Sequence, residues 1–152
     1  MNSISSIVPG VMGQTGMETR EIIKGVIGET KPDCVIVIDA LAARSIRRLC
    51  RTIQITDTGI YPGSGIGNYR QGLNQESLGI PVIAIGVPMV VDAATIVNDT
   101  LESFVKTGKY NRIQELLSPN LNTMFVTPKD IDESVKRLSF TVSEGLNIAL
   151  TE

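Results

Sequence analysis

An aspartate directly follows an apolar run in the stretch "CVIVIDALAARS", residues 34–45. The five residues before Asp39 are apolar, which is typical of a strand covered on both faces in a parallel sheet. We therefore expect Asp39 at the carboxyl end of that strand, where open α/β sheets bind their ligands. A partly desolvated carboxylate can act there as an acid or a base, above all beside a second carboxylate. The equally weighted alternative is that Asp39 caps a turn or the following helix.

Four arginines follow with the spacing of one helical face: Arg44, Arg47, Arg48 and Arg51. Positions i, i+3, i+4 and i+7 share one side of an α-helix, so the pattern concentrates positive charge just beyond Asp39. Such a face suits an acidic substrate side chain or a subunit contact. A solvated helix face is the more usual explanation.

Glycines form a third group of candidate residues in "PGSGIGN", residues 62–68. Backbone amides at Gly63, Gly65 and Gly67 could hold a phosphate or an extended peptide. The stretch lacks the lysine of a P-loop and no helix pattern begins at its last glycine, so nucleotide binding ranks last among the functions considered. A flexible loop is the simplest interpretation, and a loop that contacts a substrate comes next.

Composition excludes several kinds of catalytic site. The 152 residues include no histidine, which removes Ser-His-Asp and Cys-His sites and the zinc-binding helix H-E-x-x-H. The two cysteines, Cys34 and Cys50, have neither metal-binding nor redox spacing, and we expect them to be thiols. An enzyme with this sequence must therefore use carboxylates, lysines or hydroxyls.

Charge and hydropathy limit the partners. The formal net charge of −2 and the pI of about 5.2 give no cationic field for nucleic acid or for an anionic membrane. No apolar run approaches the roughly 18 to 20 residues of a membrane helix, and the N-terminus lacks the layout of a signal peptide. We expect a cytoplasmic protein without direct contacts to nucleic acid or membrane.

Alternating strand and helix patterns position the candidate residues. The predicted strands cover residues 3–8, 34–38, 52–56 and 81–88, with a possible edge strand in "MFVTP". The predicted helices cover about 15–28, 40–50, 92–107, 110–117 and 127–150, with a Thr15–Glu18 capping box, Asp92 in the first turn of its helix, and a Thr127 cap before Pro128. The alternation predicts one α/β domain over residues 1–152, a three-layer sandwich with a mainly parallel sheet.

Several long strings resemble one protein family: "PGVMGQTGMET", "KPDCVIVIDALAARS", "RTIQITDTGIYPGSGIGN", "LGIPVIAIGVPMVVDAATIVNDT" and "MFVTPKDIDESVKRLSFTVSEGLNIAL". Together they cover nearly the whole chain. They resemble the C-terminal half of the spore germination proteases, the endopeptidases of spore-forming Firmicutes.

The resemblance implies a fold similar to the hydrogenase maturation endopeptidases and a homo-oligomeric enzyme made as a zymogen in the spore core. It further implies an aspartate-dependent endopeptidase without metal or cofactor, whose substrates are the small acid-soluble proteins that coat spore DNA, cut at a site containing glutamate. One of the family's two catalytic aspartates falls on Asp39. Two family arginines match Arg44 and Arg48, whereas Arg47 stands where an acidic residue is more usual.

Two departures from the family affect the expected activity. The family's other catalytic aspartate lies in an upstream Thr-Pro-Asp-Ala-Leu-Gly-Pro segment that this sequence lacks, and the stretch after Thr107 is shorter. Asp57 and Asp92 are the only nearby substitutes. We therefore expect the C-terminal part of a longer protease, or a shortened relative, that is inactive alone. The alternative is a non-catalytic relative that binds protease subunits or spore proteins.

Overall fold

The computed structural model describes residues 3–64, 71–104, 121 and 123–151. The chain divides into two compact units, one made of Met1–Asp33 with Lys129–Glu152 and the other of Cys34–Pro128. The second unit carries the sheet and the candidate site residues. That residues 1–152 form one α/β domain stays a prediction.

The described residues form four strands and five α-helices. The strands are β1 (Val35–Ala43), β2 (Gln54–Thr56), β3 (Val82–Asp92) and β4 (Phe125–Val126). The helices are α1 (Met12–Thr15), α2 (Thr19–Thr30), α3 (Gln75–Leu78), α4 (Ala93–Phe104) and α5 (Ile131–Thr151). The α/β class predicted from the sequence is confirmed.

The four strands form one mixed sheet around β3. β1 runs parallel to β3, whereas β2 and β4 both pair antiparallel with it. The connection between β1 and β2, residues 44–53, is shorter than the dozen or so residues that a parallel crossover requires. The mainly parallel sheet of the prediction is therefore corrected to a mixed sheet with one parallel pair.

β1 is longer than the sequence predicted. It continues through "ALAA" to Ala43, which pairs with Val91 of β3, and the register shifts between Leu41 and Ala42. Alanine and leucine favour helix, but helix propensity is weak and pairing along the length of β3 overrides it. The predicted helix over residues 40–50 is wrong, and only a short 3-10 helix, Ile46–Arg48, follows the strand.

The predicted first strand, residues 3–8, is also wrong. These residues adopt no regular secondary structure, and Ile4 and Val8 are 59% and 92% exposed. β-branched residues favour a strand only where neighbouring strands and burial support them. The β-branched composition of residues 3–8 is therefore not enough to form a strand.

The first long helix begins later than its predicted cap. Thr15 ends α1, and its hydroxyl donates to the carbonyl oxygen of Val11 at 3.3 Å. The residue before α2 is Glu18, which makes no side-chain cap. The predicted Thr15–Glu18 capping box therefore does not form.

The helix after β3 begins as predicted. The Asp92 carboxylate accepts hydrogen bonds from the backbone N–H of Thr95 at 2.7 Å and from the Thr95 hydroxyl at 2.8 Å. This contact confirms Asp92 as a residue that stabilises the first turn of α4. The predicted extension to Thr107 and the predicted helix over residues 110–117 lie outside the described residues.

The last helix begins after its predicted cap. The hydroxyl of Thr127 donates to the carbonyl oxygen of Met89 at 3.1 Å, and α5 starts at Ile131. Thr127 therefore ties the chain after β4 to β3, and the predicted cap at this residue is wrong.

The core of the second unit lies on β3. The buried apolar residues of this strand are Val82, Ala84, Ile85, Val87, Pro88 and Val91. An isolated bridge between Ile60 and Leu73 adds two more buried side chains. Within the described ranges, no helix has both the length and the apolar character needed to cross a membrane.

Candidate active site

Asp39 lies in the middle of β1 rather than at its carboxyl end. The strand continues to Ala43, and at a rise of about 3.3 Å per residue its end lies about 13 Å from Asp39. The predicted strand-end position is therefore wrong. The alternative role as a helix cap is also wrong, because the strand continues past Asp39.

The Asp39 side chain is half-buried. Its Oδ1 accepts a hydrogen bond from the backbone N–H of Ala40 at 2.9 Å. Side chains alternate along a strand, so Asp39 shares one face of β1 with Val37 and Leu41. The carboxyl group therefore lies among apolar residues of its own strand and is only partly solvated.

A glycine stands directly opposite Asp39 in the sheet. Asp39 pairs with Gly86 of β3, and Gly86 pairs in turn with Gln54 of β2. A β-carbon at Gly86 would lie 2.7 Å from Leu41 Cγ, so the Leu41 side chain packs against the Gly86 backbone. A glycine within the apolar string "PVIAIGVP" is the sequence signal that could have predicted this close approach.

Strand register separates Asp39 from the two substitute carboxylates. Asp92 lies six residues beyond Gly86 on β3, about 20 Å along the strand, and its carboxylate already stabilises the first turn of α4. Asp39, Gly86 and Gln54 form one row across the sheet, which we call the row of Asp39. Asp57 is exposed and directly follows β2. Because β2 runs antiparallel to β3, the chain leads away from this row between Gln54 and Asp57. Neither aspartate lies beside Asp39.

The four arginines are exposed, but they do not share a helical face. They belong to the segment that we call the arginine turn, residues 44–51, in which only Ile46–Arg48 is helical. Cys50 breaks the helical pattern with a left-handed backbone, φ 53°. Arg44 follows β1 directly, about 16 Å along the chain from Asp39 at the rise of an extended strand.

Two contacts fix the arginine turn to the rest of the unit. On one side, Oδ2 of Asp99 in α4 accepts hydrogen bonds from the Ser45 hydroxyl at 2.9 Å and from the Ile46 N–H at 2.8 Å. On the other side, the Cys50 N–H donates to the carbonyl oxygen of Pro88 in β3 at 2.7 Å. Sequence reasoning missed Ser45 and Asp99, because they are 54 positions apart and no local pattern links them.

A polar cavity of about 240 Å³ lies beside the arginine turn. Its lining contains one guanidinium group, two carboxylates and one hydroxyl, from Arg47, Asp99, Glu102 and Ser45. The cavity therefore borders the contact between Ser45 and Asp99.

The glycine loop is described only in part. Gly63 adopts a left-handed backbone, φ 73°, in a turn where the Ser64 N–H donates to the Tyr61 carbonyl oxygen at 3.2 Å. Gly65 and Gly67 lie outside the described residues. The predicted contact of these glycines with a substrate stays a prediction.

Together the fold and the site define a class: an α/β protein with a half-buried aspartate inside a sheet strand and an arginine turn beyond it. The family described as germination protease matches residues 1–110, a range that includes Asp39, the arginine turn and Asp99. The chain belongs to the germination protease family. The resemblance that the sequence suggested is confirmed.

Individual relatives agree with the family match. The chain is 49% identical over 171 residues to the germination protease of Caldanaerobacter subterraneus subsp. tengcongensis, with 99% of this chain and 53% of the relative covered. It is 47% identical over 168 residues to that of Clostridium tetani, with 97% and 52% covered. It is 42% identical over 200 residues to that of Bacillus subtilis, with 98% and 54% covered.

The chain spans about half the length of the curated relatives it matches. The matched stretches are also longer than the chain, 171 and 200 aligned positions against 152 residues. The relatives therefore carry residues inside the matched region that this chain lacks.

Proposed function

We propose that this chain supplies one of two catalytic carboxylates of an endopeptidase that acts in spore germination. The observation that carries the proposal is the position of Asp39, half-buried within β1 and inside the residues that match the germination protease family. The relatives are named germination protease, and we extend that protease role to the protein that contains this chain.

In the proposed mechanism, Asp39 works with a second carboxylate. Two coupled carboxyl groups can share one proton, so the charged group accepts a proton from water while the protonated group donates one to the peptide. As these protons move, the water oxygen bonds to the peptide carbonyl carbon and the carbonyl oxygen receives the donated proton. When the C–N bond of this tetrahedral intermediate breaks, the leaving nitrogen takes the proton that came from water, and a hydroxyl of the intermediate returns a proton to the other carboxylate. The reaction requires neither metal nor cofactor.

The second carboxylate is proposed to come from outside this chain. The strand register supports this assignment, because Asp92 lies about 20 Å along the strand from the row of Asp39 and is occupied by Thr95. A mechanism that divides acid and base roles between two groups loses most of its rate when one is missing. We therefore propose that residues 1–152 alone are inactive.

The proposed substrates are the small acid-soluble proteins of spores, cut near a glutamate. Arg44 and Arg48 are exposed beyond the strand that carries Asp39, and guanidinium groups bind carboxylates in a favourable fork geometry. Backbone amides around Gly63 would hold the extended peptide, together with Gly65 and Gly67 of the same loop.

Several further properties belong to the same proposal. The enzyme is a zymogen of the spore core, and its fold is similar to the hydrogenase maturation endopeptidases. Self-association into a homo-oligomer is supported by apolar side chains on one face of the sheet. Ile38 and Ile55 both pair with Ile85 and are 53% and 69% exposed.

The proposal is tested by Asp39→Asn in the active protease that contains this chain. Asparagine keeps an oxygen that can accept from the Ala40 N–H, so the melting temperature should stay nearly unchanged. Loss of a positioned acid or base should lower kcat/KM on a small acid-soluble spore protein about 1,000-fold. Cleavage rates and thermal unfolding are measured on the same preparations.

Asp57→Asn is the matched control, because it makes the same chemical change at an exposed aspartate away from the row of Asp39. We expect this variant to cleave at the rate of the unmodified enzyme. Retained activity in Asp39→Asn would remove Asp39 from the mechanism.

A non-catalytic relative is the second candidate function. The separation of Asp39 from Asp92 along the strand favours it. Such a protein would bind protease subunits or spore proteins through the arginine turn. Binding of a small acid-soluble spore protein without cleavage, even after addition of the family's N-terminal half, would identify it.

A further inference from the structure

We infer that Asp99 is a positioning residue, which holds the arginine turn in the conformation that binds a substrate carboxylate. The inference rests on the proposed function, because it assumes that Arg44 and Arg48 bind a glutamate. Asp99 itself touches the backbone and the hydroxyl of the turn and would not touch the substrate.

The contact is built around one oxygen atom. Oδ2 of Asp99 accepts both the Ser45 hydroxyl and the Ile46 N–H, at 2.9 and 2.8 Å. Ser45 Oγ in turn accepts the N–H of Arg47 at 3.3 Å. The first N–H groups of a helical turn have no partner within the turn, and this network satisfies those of Ile46 and Arg47.

The contact of Asp99 lies between the arginines in the sequence and therefore affects their relative positions. Ser45 and Ile46 separate Arg44 from Arg47 and Arg48, so a change in their backbone angles moves the arginine side chains relative to one another. The Cys50 contact with Pro88 fixes the far end of the turn. Asp99 joins the near end of the turn to α4.

A purely electrostatic role of Asp99 predicts the opposite change in anion binding. Asp99 is an acidic residue in contact with the turn that carries the four arginines, so its removal should strengthen binding of an anion if the effect were purely electrostatic. A positioning role predicts weaker binding instead. The sign of the change therefore separates the two explanations.

The test measures binding of two peptides to the full 152-residue chain by fluorescence anisotropy. The probes are an unstructured peptide with one glutamate and the same peptide with glutamine. In Asp99→Ala, we expect the Kd for the glutamate peptide to rise about tenfold, the scale of a lost charged hydrogen bond, while the Kd for the glutamine peptide stays unchanged. Trypsin cleavage after Arg47 and Arg48 should accelerate in the same variant.

Two variants control the test. Asp99→Asn keeps one acceptor oxygen, and because a single oxygen accepts both bonds, this variant should retain most of the glutamate preference. Glu102→Ala removes a carboxylate from the same helix and the same cavity lining, so it makes the same charge change without breaking the contacts of Asp99. We expect its Kd to equal that of the unmodified chain or to fall slightly.

The outcomes separate the inference from the proposed function. Unchanged or tighter glutamate binding in Asp99→Ala, with the preference intact in the unmodified chain, would overturn the positioning role alone. Equal binding of both peptides by the unmodified chain would overturn the proposed recognition by arginine and the positioning role with it. A loss of binding in Asp99→Asn as large as in Asp99→Ala would also contradict the inference.

Discussion

Asp39 and the arginines lie on consecutive segments of the chain but some distance apart. About 16 Å of extended chain separates Asp39 from Arg44. An extended peptide of about five residues covers the same distance. A substrate that lies along β1 could therefore place one peptide bond near Asp39 and an acidic side chain near the arginine turn.

This arrangement predicts a charge exchange between enzyme and substrate. In the active protease, the double substitution Arg44→Glu, Arg48→Glu should lower kcat/KM for the normal substrate at least tenfold, about 1.4 kcal/mol of transition-state stabilisation. A substrate with lysine in place of the recognised glutamate should recover part of the loss, because opposite charges again face each other. Both substrates are compared with both enzymes.

Arg51→Glu provides a comparison at the other end of the same turn. Arg51 is exposed, and it follows the anchored residue Cys50 rather than β1. We expect a smaller loss and no recovery with the lysine substrate. An equal loss on both substrates for the Arg44 and Arg48 variant would indicate a role in folding or assembly instead.

The aspartates show which roles a sequence can reveal. Asp92 was predicted correctly as the start of a helix, because its partner Thr95 is three positions away. Asp99 could not be predicted, because Ser45 and Ile46 come close to it only once β1, β3 and α4 are assembled. The sequence singled out Asp39 through its apolar neighbours, but it did not show that the strand continues beyond it.

At the scale of elements, the β1–β3 pair determines what surrounds Asp39. Gly86 leaves room for Leu41, and Leu41 lies on the same face as Asp39. The packing of one side chain against one glycine therefore connects the stability of the sheet with the surroundings of the carboxyl group.

We predict that Gly86→Ala destabilises the protein by about 1–3 kcal/mol, the usual cost of forcing an extra methyl group into a packed sheet. The added carbon would clash with Leu41 and displace it. Combining Gly86→Ala with Leu41→Ala should remove part of that cost, with a coupling energy of at least about 0.5 kcal/mol. Urea unfolding of the four proteins in this cycle measures the coupling.

Gly25→Ala is the matched control for this cycle. Gly25 lies inside α2 and a β-carbon there would meet nothing within 4 Å, so the substitution should stabilise the helix by about 0.5–1 kcal/mol. Gly86→Ala with an unfolding midpoint equal to that of the unmodified protein would contradict the close packing of Leu41 on Gly86.

The predicted strands and helices are correct where the hydrophobic pattern of a segment agrees with its pairing in the sheet. β3 was predicted from its continuous apolar run, which matches its buried position in the sheet. The strand predicted over residues 3–8 and the helix predicted over residues 40–50 are both wrong, because local propensity does not determine which segments pair with a strand. The antiparallel direction of β2 could have been inferred from its short connection to β1.

For the whole molecule, the sequence indicates the protein family more firmly than it indicates the activity. Long matching strings correctly indicated the germination protease family, because such strings carry far more information than hydrophobic periodicity. The chain nevertheless corresponds to about half of each relative. The two-carboxylate mechanism of the whole protein is therefore a proposal for this chain.

The most direct test of this account is the cleavage rate of a small acid-soluble spore protein by residues 1–152, alone and after addition of the N-terminal half of the Caldanaerobacter germination protease. We predict no cleavage by the chain alone, cleavage once the two parts are combined in cis or as separate fragments, and none when the combined enzyme carries Asp39→Asn. Robust cleavage by the isolated chain would contradict the claim that Asp39 needs a carboxylate from outside it. A stable complex of the two parts that cleaves as fast with asparagine as with aspartate at position 39 would contradict the catalytic role of Asp39.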